Sequence, residues 1–277
     1  MHSGKAQKTV WWGSFTFDED DAGSWRVGPS TLWIHRSARS WRIIHSTTRD
    51  DLDDSAEVHP PVPLDRTQMT PEDPTEEADT LRFSFQKIKD REIVLTPALA
   101  DRAVVIRPDS PLYVLAGEDV TLFASTPVWI RIEAGSPSRL LTEIPSHRPS
   151  DTWFGPNAQE GELCYAVKTA GRLRLERLPF RLHRAVTPVL IRNHASDALL
   201  LERIQIPVPY LSLYQGKENY LWTQSVTLER GSDGDVAAVR LDQAPPAEAG
   251  ATERLSGPRL HLRTNVIIRT FTSIFSR

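Results

Sequence analysis

The stretch Val186-Thr-Pro-Val-Leu-Ile-Arg192, Asn193-His-Ala-Ser-Asp197, Ala198-Leu-Leu-Leu-Glu-Arg-Ile-Gln-Ile-Pro-Val-Pro-Tyr-Leu-Ser-Leu-Tyr214 decides how the chain is read. Two apolar, β-branched runs flank a turn-rich pentapeptide, the pattern of a β-hairpin. In the second run Ile204, Ile206 and Val208 alternate with Arg203, Gln205 and Pro207, the period of a strand with one buried face. Pro207 and Pro209 have no amide hydrogen for a ladder, so this end is expected at a sheet edge or leaving the sheet.

The same period recurs outward in both directions. Short strands are expected at Ser24–Val27, Thr31–His35, Trp41–His45, Leu81–Phe85, Val120–Ala124 and Val128–Ile132. Further on they are expected at Glu162–Thr169, Arg172–Leu178, Tyr220–Glu229, Val236–Leu241 and Arg259–Ile268. In Arg172–Leu178 the alternation puts Leu173 and Leu175 inward. No long helical segment alternates with these strands, which argues against a parallel α/β sheet. The expectation is an all-β protein: two antiparallel β-sandwich-like domains with little helix, residues 1–145 and 146–277. Trp11, Trp12, Trp25, Trp33 and Trp41 crowd the first part and read as core fillers of a β-layer. The six-residue run Thr126–Arg131 matches Thr187–Arg192 at five positions, either a shared strand-entry motif or chance.

Residues 49–80 break the pattern with eleven acidic residues, two basic ones and five prolines. Like charges repel and proline leaves ladders, so this stretch is expected to be a disordered insertion in the first domain. The tail from Asn265 to Arg277 fits either a strand or a helix with Ile267, Phe271, Ile274 and Phe275 on one stripe.

Composition narrows the function classes. The chain has 277 residues, 39% of them hydrophobic and 25% charged, with a net charge of -3. That is a globular composition with no basic field, so no nucleic-acid partner is expected. Cys164 is the only cysteine, which rules out an internal disulfide. No apolar run approaches a spanning helix and no signal peptide is evident, so a cytoplasmic location is expected.

Chemistry-bearing motifs are sparse. Neither glycine-rich phosphate loops nor a nucleophile elbow occurs. The eight histidines lack metal-ligand spacing, so no metal site and no cofactor is expected. Asp233 and Asp235 beside Gly234 read as a turn rather than a calcium loop. Cys164 sits mid-strand without a local cation and reads as a small buried apolar residue. Three candidate binding features remain. Trp153-Phe154-Gly155-Pro156 is either an inter-domain plug or a stacking platform. Glu160 and Glu162 form an acidic pair that could do acid/base work or be merely solvated. Arg172 and Arg174 lead a basic series, with Arg177, Arg181, His183 and Arg184, that would suit an anionic partner or be a solvated strand face.

Two stretches together carry a resemblance: Trp153–Pro156 with Gly161–Ala166, and Thr187–Val189 through Leu199–Ile204 to Pro207–Pro209, with Leu221-Trp222-Thr223 beyond. They resemble the DUF432-type family of archaea and bacteria, over most of residues 80–277. Its members are often encoded near small mechanosensitive channels. The resemblance implies no activity and transfers no functional residue. The expected function is therefore a non-catalytic binding or assembly module. It would self-associate through Pro207–Tyr214, bind a protein partner or dock on a membrane protein. The alternative is a carbohydrate-binding or carbohydrate-active protein using its clustered tryptophans.

Overall fold

The structure is a computed structural model that describes residues 10–48, 56–63, 78–85, 90–155, 161–232 and 237–261. The expected tail strand or helix from Asn265 lies outside these residues, as does Glu160. Among the described residues every helical segment is a single 3-10 turn, and the fold is all-β. In chain order the first strands are β1 Gly13–Thr16, β2 Asp21–Val27, β3 Ser30–Arg36, β4 Ser40–Thr47, β5 Ala56–Pro63, β6 Asp79–Ser84 and β7 Glu92–Ala98. Next come β8 Val104–Pro108, β9 Leu112–Val114, β10 Asp119–Pro127, β11 Trp129–Ala134, β12 Arg139–Pro145, β13 Ser150–Phe154 and β14 Glu162–Gly171. The last are β15 Arg184–Asn193, β16 Leu199–Leu201, β17 Ile204–Ile206, β18 Leu213–Gln215, β19 Leu221–Trp222, β20 Val226–Arg230, β21 Ala237–Leu241 and β22 Glu253–Ser256.

These strands form two compact units. One contains Val128–Arg148 together with the chain before Leu99; the other contains Leu99–Pro127 and the chain from Pro149 onward. The chain passes between them at Ala98/Leu99, Pro127/Val128 and Arg148/Pro149.

The first unit has a four-stranded sheet, β1-β7-β11-β12, and a five-stranded sheet, β5-β2-β3-β4-β6. Alternation along the strands supplies the facing rows. Trp25, Leu32, Ile34, Trp41 and Ile43 come from one sheet and Ile93, Leu95, Ile130 and Ile132 from the other, all buried. Phe15 of β1 meets Trp25 edge-on and Phe17 meets Trp41 the same way, so aromatic edges and faces lock the layers. Each buried indole removes roughly 200 Å² of surface from water, at most about 5 kcal/mol of hydrophobic stabilisation.

Part of the acidic stretch is ordered. Ala56–Pro63 pairs antiparallel with β2, and Asp79–Ser84 pairs with β4. The prolines fit because β5 is the outermost strand and its register shifts between Ala22 and Ser24, leaving Pro60 and Pro61 in a bulge opposite Gly23. A Cβ at Gly23 would stand 2.9 Å from the Trp25 ring and 3.3 Å from both His59 O and Pro61 N, so glycine gives the bulge its room.

The second unit holds a four-stranded sheet, β13-β14-β8-β17, and a larger one, β21-β20-β15-β19-β18-β22, with β10 also on β15. β9 and β16 form a small separate ladder. Leu122 of β10 and Ile106 of β8 close over Gly171 of β14, which fixes the packing of the two layers there. Most ladders are antiparallel, but β8 on β14, and β19 and β20 on β15, run parallel.

The expected hairpin between the two halves of Val186–Tyr214 does not form. A strand has two edges, and both edges of β15 are occupied. β10 pairs with nine of its residues on one side, and β19 and β20 share the other. β16 therefore pairs with β9, and β17 with β8. The pentapeptide is a pivot: the buried Asn193 amide donates to Val114 O, Leu115 O and Asp197 O at 2.8–3.1 Å. β17 is the outermost strand of its sheet and the chain leaves it at Pro207, as proline chemistry requires. Ile204, Gln205 and Ile206 are nonetheless all buried, so the strand is covered on both faces.

Thr187 and Pro188 sit inside β15, where the parallel neighbours are interrupted between Trp222 and Val226. A proline fits there because no ladder amide is needed, and Thr223 Oγ1 bonds Thr187 Oγ1 at 2.8 Å across the gap. Thr126 and Pro127, in contrast, end β10. The two copies of the motif do different jobs.

Candidate functional site

β13 is short, and one of its faces continues the core while the other emerges into solvent. Phe154 is buried with Ala103, Val105 and Cys164. Trp153 points the other way and is 43% exposed. Register places it directly across from Leu163 of β14, also 43% exposed, so the two side chains share one face. The indole lies over Gly161: a Cβ there would stand 2.1 Å from Trp153 Nε1. Gly161 therefore leaves the room that the indole takes against the backbone. Beyond this pair, Arg102 sits over the Tyr165 ring and pairs with Asp151 at 3.2 Å, and Tyr165 donates to Asp101 at 3.0 Å. The result is an apolar platform with a charged border on the outermost strand of its sheet.

The other tryptophans are elsewhere. Trp11, Trp12, Trp25, Trp41, Trp129 and Trp222 are buried and Trp33 is partly so. They serve as core, and Trp153 alone of the eight is exposed.

Glu162 is exposed and accepts a hydrogen bond from Gln205 Nε2 at 2.8 Å. Gln205 also donates to Cys164 Sγ at 3.3 Å. Burial first, and then the neighbouring Glu162 carboxylate, push the Cys164 thiol up to about 12, against the opposing effects of Gln205 and Arg203. The thiol stays neutral at ordinary pH, which suits the buried apolar role read from the sequence. Gln205 is the residue that sequence reasoning missed. Its parity puts it outward on a half-buried strand, and only the second covering layer turns it into the link between Glu162 and Cys164. Arg203, on the same strand approach, lies over the Phe154 ring at 5.2 Å.

Arg172 and Arg174 are not part of this site. About ten strand residues separate Arg172 from Glu162, roughly 30 Å along an extended chain. Arg172 is ion-paired with Asp109 and bridges Phe123 through its backbone. The strand expected over Arg172–Leu178 is a bend followed by a 3-10 turn at Leu175–Arg177, and Leu173, expected inward, is 52% exposed. The basic series is dispersed: Arg184 and His183 are buried, with Arg184 donating to Ser125 Oγ at 2.9 Å and Ser125 O at 2.6 Å. Pro207–Tyr214 is no free edge either. Val208, Leu211 and Leu213 are buried, Leu213 pairs with Ser256, and Pro209 O accepts from Arg259 N and Leu260 N.

Among the described residues no group of three or more His, Cys, Asp or Glu side chains is arranged to hold a metal ion. Among them, too, no helix is long and apolar enough to cross a membrane. Neither a curated protein nor a solved structure matches the chain. A family model described as a protein of unknown function (DUF432) matches residues 11–275, and the chain belongs to that family.

Proposed function

We propose that this protein is a non-catalytic binding or assembly module that works through the outer edge of β13. The observation that carries the reading is the cross-strand pair Trp153 and Leu163, both 43% exposed, with Trp153 on the outermost strand β13 and Leu163 beside it on β14. An edge strand leaves every second amide and carbonyl without a ladder partner, and a neighbouring apolar pair supplies the desolvated anchor that such pairing needs. A second copy of the chain is the occupant of choice. Antiparallel pairing of β13 with itself about Thr152 is closed by a two-fold axis, the commonest symmetry of soluble assemblies. A membrane-embedded protein offering a strand would use the same edge. A cytoplasmic setting agrees with the single, buried, unpaired thiol of Cys164.

Light scattering on size-exclusion fractions tests this directly. The native chain is expected to dimerise as concentration rises, and Trp153→Ser with Leu163→Ser to stay monomeric while keeping the native circular dichroism. A native chain that remains a monomer at the highest soluble concentration would remove self-association.

A further inference from the structure

The β11–β12 hairpin in the first unit ends in a cleft of about 560 Å³, lined by Trp41, Phe85, Asp90 and the turn from Gly135 to Leu141. That size falls inside the roughly 300–1,000 Å³ of small-molecule sites. The cleft is shaped by the backbone. Gly135 has a φ of +91°, a conformation open to glycine, and a Cβ there would meet Asp90 Oδ2 at 2.9 Å. The carboxylate thus lies against bare backbone. Opposite Ile132 and Glu133 the register shifts from Thr142 to Leu140, leaving Leu141 as an extra residue whose bulge turns it into the cleft wall.

The lining chemistry selects the ligand class. Asp90 is half-buried, and among the described residues no hydrogen bond or ion pair engages it. Its carboxylate can accept hydrogen bonds from donors placed in the cleft. A purely apolar ligand would leave it unpaired, at the cost of a buried polar group. An anion would be repelled by it. An amine would meet Arg139 on the same lining. A neutral polyol satisfies all of them: hydroxyls donate to Asp90, exchange with the Ser136 and Ser138 hydroxyls and accept from Arg139. The apolar C–H face of a ring can then pack on Phe85 and Leu141.

We propose that this cleft binds a neutral sugar ring, as a free hexose or as the terminal unit of a glycan. The proposal is independent of the β13 edge. Saturation-transfer NMR on the full chain with glucose, galactose, mannose and N-acetylglucosamine, and with cellobiose and maltose, tests it. At least one sugar is expected to show transfer, about tenfold weaker binding in Asp90→Asn, and unchanged binding in Trp153→Ser. A monosaccharide signal assigns a free sugar; a signal from the disaccharides alone assigns a glycan end. Amide shift changes mapped to residues 135–141, and their loss in Ser138→Ala, supply a second readout if Asp90→Asn does not fold. Silence from every sugar, transfer unaffected by both variants, or binding of putrescine in place of sugars would overturn the proposal.

Discussion

His45 shows how a single side chain ties this fold to pH. It sits on β4 between Leu32 of β3 and Asp79 of β6, with Nε2 3.7 Å from Asp79 Oδ2. Burial lowers its affinity for a proton, and the Asp79 carboxylate only partly opposes this. The folded pKa therefore lies below the ordinary 6.5 of the unfolded chain. Below 6.5 the unfolded chain takes up the proton more readily, so stability present above that value is lost as pH falls through it. Melting temperatures of the native chain and His45→Gln, measured from neutral to mildly acidic pH, are expected to converge on the acid side. Parallel curves would show that His45 does not couple folding to pH. The histidine itself is plain in the sequence, but its environment is not: β6 begins inside an acidic stretch whose composition argues against any strand.

At the scale of elements, alternation was legible wherever one face meets a core and the other meets water. Val128, Ile130 and Ile132 share a parity and are all buried, as the period of two requires. It misled where a strand is covered twice, as at Gln205, and where a short alternating run is not a strand, as at Leu173. Pairing partners were illegible for a different reason. The apolar runs of Val186–Tyr214 satisfy the local hairpin pattern, but the occupancy of β15 by β10, β19 and β20 is a long-range competition that no local pattern encodes. The β13–β14 platform was half visible: Trp153 stood out as an aromatic beside a turn, whereas Leu163 reads as a core residue. Gly161 decides the geometry of that platform. Gly161→Ala would drive a methyl into the Trp153 indole and force the ring to move. The expected outcome is a near-native melting temperature with loss of concentration-dependent dimerisation. An unchanged dimer in Gly161→Ala would mean that the indole seated on Gly161 is not the anchor.

For the whole molecule, the path of the chain between its two units governs what can be cut. The second unit takes in Leu99–Pro127 before the chain returns to the first at Val128. That segment carries β8, β9 and β10. Without β10 the central strand β15 loses nine paired positions; without β8 the strands β14 and β17 lose their common neighbour; without β9 the strand β16 has no partner. Residues 146–277 alone, the fragment that composition suggests as a domain, would leave β14 and β15 each with one unpaired edge and β17 with none of its ladder, so that buried amides lose their partners at a cost of about 1–3 kcal/mol each. Against a typical domain stability of about 5–15 kcal/mol, such losses leave nothing. The fragment is expected to show collapsed amide dispersion by NMR. Joining 99–127 to 149–277 through a flexible glycine-serine linker restores all three strands to one chain, and is expected to recover a dispersed spectrum and a cooperative melt. A well-folded 146–277 fragment would mean that the β10–β15 ladder is dispensable, and the division of the chain into these two units would have to be redrawn.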